Sequence, residues 1–210
     1  MCRIISYPAK PMGVDITLFP EHRTADGVWS PVDELLPNLD YFPDDPDFAA
    51  EPAFVPNALD ISRCSALFAI LADVNNTRTA TPYTPISKPR GLPSDAAEAT
   101  RRWFNSWDSA FAPSWLTISE IDSYDWDQVA QHYGKVDHCV AHLFRDNPLG
   151  FPFAQWPKDV PFSYSECSSD SGNARWRATH GESAGFKWFR ELLVPYDRLP
   201  EVRLVFWFDH

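Results

Sequence analysis

Two apolar segments near opposite ends of the chain constrain the fold most. Near the start, Val14, Ile16 and Leu18 alternate with Asp15, Thr17 and Phe19, the period-two pattern of a strand with one buried face. At the end, Val202-Arg203-Leu204-Val205-Phe206-Trp207-Phe208-Asp209 is a second apolar run of strand composition. Their complementary apolar faces predict that the first and last strands are neighbours in one sheet. The fold class expected is α/β (α+β): a small mixed sheet containing the first and last strands, covered by several helices and bridged by long Pro-rich loops.

The chain of 210 residues suits a single domain, 1–210, with long surface excursions at 37–56 and 146–173. Twenty prolines against eight glycines make its connections many and stiff. A hydrophobic fraction of 44% with nine Trp is enough for a sizeable core. The formal net charge of -11 gives no basic footprint for a phosphate backbone, so nucleic acid is not an expected partner. The longest apolar run, Ala66 to Ala72, is far too short to span a bilayer, and no signal peptide is read at the start. Cys2, Cys64, Cys139 and Cys167 are scattered without a CxxC pair, which fits a reduced cytoplasmic location better than a disulfide framework. Cys64 and Cys139 lie in apolar stretches and read as small buried hydrophobes. No cofactor is expected.

Along the chain, Arg3 to Tyr7 reads as a short strand, and Asp26-Gly27 as a hairpin turn leading back through Val28-Trp29. Ile61 to Val74 is the clearest core helix, with Ser62 as its cap and Leu67, Phe68, Leu71 and Val74 at helical spacing. Ser94 is read as the cap of a second helix running to Trp107. Thr117 and Glu120 form a capping-box pattern. Further helices are expected over 126–133, 136–144 and 182–193, and a strand over 175–179.

Several constellations carry possible chemistry. Asp15 and Asp209 are weak candidates for a catalytic carboxylate pair, because neighbouring carboxylates split each other's pKa values. Arg90, on a Gly-containing loop ahead of Ser94 and Asp95, is a candidate anion site, with Trp115 as a stacking surface. The competing reading is that Arg90 pairs with a carboxylate and holds its loop. His138 and His142, four apart on an expected helix, are weak candidates for a metal. Asp44, Asp45 and Asp47 weakly suggest calcium but lack the Gly and terminal Glu of an EF-hand loop. No serine or cysteine nucleophile is expected, since no local signature such as GxSxG is read.

The opening Met12-Gly13-Val14-Asp15-Ile16-Thr17 and the closing strand resemble the two ends of an uncharacterised phage and actinobacterial family whose members open with Met-Gly-Cys-Asp-Ile-His. The likeness continues in order through Arg63 to Asn76, Pro89 to Asp95, Ser114 to Glu120, Tyr124-Asp125-Trp126 and Ala184-Gly185-Phe186. Val14 and Thr17 stand where the family has Cys and His, and Phe111, Ala112 and Pro113 where it often has His. The resemblance implies a shared fold and a non-catalytic accessory protein of a phage or mobile element, binding a host protein or small anionic ligand in counter-defence. The alternatives are a hydrolase-type enzyme with a carboxylate-centred pocket and an acidic immunity protein.

Overall fold

A computed structural model describes residues 13–45, 51–78, 81–167 and 169–210. The expected strand at Arg3 to Tyr7, and Asp47, lie outside them. Strand β1 (Asp15–Arg23) turns at Gly27, whose φ of 78° suits glycine, into β2 (Trp29–Pro31). On its other side β1 pairs antiparallel with β9 (Val202–Asp209), and β9 pairs with β5 (Phe111–Thr117), giving the order β2-β1-β9-β5. The first and last strands are therefore immediate neighbours, with Asp15 opposite Asp209. β9 is central and buried along almost its whole length, which explains its unbroken apolar run.

Helix α1 (Ser65–Ala72) covers this sheet. Leu67, Phe68, Ile70 and Leu71 are fully buried against Leu18, Leu116, Phe206 and Phe208 in the main core. Its N-cap is Cys64, not Ser62, and it ends at Asp73 in the left-handed conformation. Helix α2 (Glu98–Asn105) starts four residues later than Ser94, with Ala97 at its N-cap. Asp95, itself exposed, instead adds to a buried Arg203–Glu21 pair: Arg203 donates to Glu21 Oε2 (2.9 Å) and Asp95 Oδ1 (2.7 Å). Trp29 covers that guanidinium, 4.0 Å from its ring centroid. Helix α3 (Ile118–Ser123) carries the reciprocal Thr117–Glu120 capping box. Among its described residues, the acidic excursion forms the short antiparallel pair β3 (Leu36–Pro37) and β4 (Phe54–Val55).

A second sheet, in the order β7-β6-β8, comprises β6 (Val129–Val136), β7 (Tyr164–Cys167) and β8 (Ala174–Thr179). Here two expected helices are corrected. Residues 129–136 form the central strand, because pairing on both sides outweighs their helical spacing. After it, Asp137 Oδ1 accepts from Cys139 N in a tight turn, followed by one 3₁₀ turn at Ala141–Phe144. The expected helix at 182–193 is two helices, α4 (His180–Ala184) and α5 (Phe186–Leu193), broken at Gly185 with φ 64°. Every ladder among the described strands is antiparallel, so the expected mixed pairing is reduced to one isolated parallel bridge, Leu149–Arg177. The architecture is α+β.

Candidate active site

A cleft of about 630 Å³ opens between the second sheet, α4 and the N-terminal turn of α1. Strand alternation aims His132 of β6 into it, where the imidazole stacks on Trp176 of β8 with centroids 5.3 Å apart. His132 Nε2 lies 3.0 Å from Ser183 Oγ on α4. His132 Nδ1 faces Glu166 Oε1 of β7 at 4.0 Å. The chain thus brings a hydroxyl, an imidazole and a carboxylate into sequence from three separate elements.

The electrostatics follow from burial. His132 has a side chain only 14% exposed, and desolvation holds its imidazole below the ordinary 6.5, neutral at pH 7. Partial desolvation raises the Glu166 carboxyl, although its side chain is 63% exposed. Ser183 Oγ also lies 2.9 Å from Thr179 O, one turn back, and it has a single hydrogen to give. When that hydrogen goes to Thr179, the oxygen accepts from a protonated Nε2. When it turns to a bare Nε2, the serine–histidine pair has the sense a general base needs.

Two further polar groups line the floor. Cys64, at the start of α1, directs its thiol to Ser183 O at 3.6 Å. Burial pushes that thiol up, while the N–H groups of Leu67 and Ala66 act in the other direction. Burial likewise raises the Tyr83 hydroxyl, opposed by its hydrogen bond with Ser183. The first backbone bond of α1 runs from Phe68 N to Cys64 O, so the amides of Ser65, Ala66 and Leu67 have no acceptor within the helix.

The residues picked from sequence fall elsewhere or take structural partners. Asp15 and Asp209 do oppose each other, at the edge of this cleft, because Arg63 lines the cleft and grips Asp15 through Nε (2.7 Å) and Nη2. Arg63 pulls Asp15 down, whereas desolvation and then the Asp15 charge push Asp209 up. Gly13 makes room for that grip, since a Cβ there would collide with the Arg63 guanidinium.

Arg90 clamps Glu120 with both arms, at 2.6 and 3.2 Å, and lies over the Trp115 ring at 4.8 Å. Its remaining bonds go to Ser87 Oγ and Trp115 O. Glu120 is held below the usual range chiefly by this guanidinium. Ser94 offers its carbonyl to Arg101, and Asp95 serves Arg203, so these residues are not gathered round Arg90 as an anion site would require.

His138 and His142 do not share a helix face. His138 stands 91% exposed between Asp137 and Cys139, and His142 Nδ1 lies 2.9 Å from Cys139 O. Asp137, His138 and Cys139 bring three donor atoms within 4.8 Å on an open turn, and Cys139 is exposed rather than buried. Asp44 and Asp45 are exposed.

Sequence reasoning missed Ser183, His132 and Glu166. One signal was available: Gly181-Glu182-Ser183-Ala184-Gly185 spells GxSxG. The setting is not the strained strand-to-helix elbow of that motif, since Ser183 lies inside α4 and has no positive φ. Its significance rests on the contact with His132. No protein-family model matches the chain, and no curated protein or solved structure matches it either.

Proposed function

We propose that the protein is a hydrolase-type enzyme acting by acyl transfer, with Ser183 as nucleophile, His132 as general base and Glu166 as the carboxylate that orients the imidazole. The observation that carries this reading is the 3.0 Å approach of Ser183 Oγ to Nε2 of the partly buried His132 in an open cleft. Ser183 Oγ attacks the substrate carbonyl while His132 takes its proton. The imidazolium returns that proton to the leaving group, and water then releases the acid by the same route. The amides at the start of α1, those of Ala66 and Leu67 now turned to the Cys64 sulfur, are the donors this reading assigns to the oxyanion. This reading centres the chemistry on a serine and a histidine, not on the Asp15–Asp209 carboxylates that the sequence offered.

The test is hydrolysis of a nitrophenyl acetate series by the parent and by Ser183→Ala and His132→Gln. Both variants should lose about 100-fold or more in kcat/KM while remaining folded. Rates equal to the parent's in Ser183→Ala overturn the assignment.

The second reading is the accessory role implied by the family resemblance, in which the protein binds a host protein or small anionic ligand in counter-defence and the cleft is not catalytic. It is favoured by two details: Glu166 stops 4.0 Å from Nδ1, and the Ser183 hydroxyl has Thr179 O as an alternative acceptor. Under that reading both variants leave a background ester rate unchanged.

A further inference from the structure

The walls of the cleft discriminate among substrates for the proposed hydrolysis, and this inference rests on that reading. On one side Phe151 anchors an aromatic array, with ring centroids 4.5 Å from Phe153, 4.9 Å from Tyr164 and 5.2 Å from Trp176. Phe151 itself is held on several sides, yet Phe153 and Tyr164 remain 60% and 43% exposed while lining the cleft. Rings fixed by their neighbours offer apolar contact with little ordering cost.

The cleft is also acidic. Glu166, two residues along β7 from Tyr164, and Glu182 line it, and Arg63 is the one Lys or Arg side chain among the described lining residues. That guanidinium already faces the Asp15 carboxylate in a two-armed pair, with Asp209 beside it. An incoming anion therefore meets two carboxylates and a cation that is already neutralised. The whole chain, at -11, adds to that repulsion.

We infer that the cleft accepts an ester or amide with an uncharged aromatic or apolar acyl group, laid against Phe151, Phe153 and Tyr164, and rejects anionic acyl groups. Phe153 is a specificity-determining residue, and its exposure means that truncation spares the fold.

The experiment compares nitrophenyl acetate, phenylacetate and hemisuccinate with the parent, Phe153→Ala and Ser183→Ala. In the parent, phenylacetate should exceed acetate in kcat/KM by about tenfold or more, within the range that apolar pockets reach. Hemisuccinate should fall below acetate. Phe153→Ala should lower turnover of phenylacetate more than that of acetate and so close the gap between them. Equal rates for all three esters, a preference for hemisuccinate, or a uniform loss in Phe153→Ala would overturn the inference while Ser183-dependent turnover stands. Absence of any Ser183-dependent turnover would overturn the serine reading itself, and this inference with it.

Discussion

Asp15 and Asp209 lie directly opposite each other across β1 and β9, and the fold drives their ionisation in opposite directions. Arg63 favours the charged form of Asp15, so Asp15 contributes stability above the unfolded value near 3.8 that is lost as pH falls through its lower folded value. Asp209 has its folded value raised, so its ionisation costs stability once the pH has risen through that range. At pH 7 Asp15→Asn should lower the unfolding midpoint and Asp209→Asn should raise it. Each effect should be within about 1 kcal/mol, because both groups are partly exposed. Shifts of the same sign in the two variants would contradict this account.

The Arg90–Glu120 pair predicts a structural outcome for a residue that sequence pattern had offered as an anion site. Removing a guanidinium that makes four hydrogen bonds should cost about 1–3 kcal/mol in denaturant unfolding. Arg90→Ala should show that loss and leave ester turnover intact. Unchanged stability would mean that the clamp carries no load.

The buried face of α1 predicts a larger penalty. Leu71 is 1% exposed in the main core, and truncating such a residue to Ala costs about 2–5 kcal/mol through lost transfer energy and a cavity. Leu71→Ala should drop the midpoint accordingly, as read by chemical denaturation. A change under about 0.5 kcal/mol, the scale of surface substitutions, would place the helix on the wrong face.

Both α1 and the terminal pairing were legible because each is written locally: helical spacing in Leu67, Phe68 and Leu71, strict alternation in Val14, Ile16 and Leu18. The capping box was equally local, since Thr117 and Glu120 are three residues apart. Residues 126–133 misled for a physical reason. Trp126, Val129, Ala130 and Tyr133 satisfy helical spacing, but β7 and β8 supply ladder partners that no window of sequence contains. The same omission hid the site. His132, Glu166 and Ser183 sit on β6, β7 and α4, and only the pairing of those strands and the packing of α4 bring them together. Ser183 alone had a local signature, GxSxG, and His138 with His142 drew attention instead because their spacing imitates a helix.

His180, buried, and His132, partly buried, predict a pH dependence of stability. Desolvation lowers both His132 and His180 below the ordinary 6.5. The unfolded chain therefore takes up protons first as the pH drops, and the native state loses stability from about pH 7 downward through 6.5. Above that window neither histidine contributes a slope. His132→Gln should flatten the stability curve between about pH 7 and 5, as followed by urea midpoints at each pH. A slope identical to the parent's would show that His132 is not held neutral.

The central claim is that Ser183 is a nucleophile activated by His132. The most direct measurement is intact mass after incubation with a fluorophosphonate, which transfers its phosphonyl group to an activated serine with loss of fluoride. The account predicts one adduct per chain, located by peptide mapping on Ser183. It further predicts no adduct in Ser183→Ala and a rate reduced by about 100-fold or more in His132→Gln. An unlabelled parent, or labelling that persists at the same rate in either variant, would contradict it.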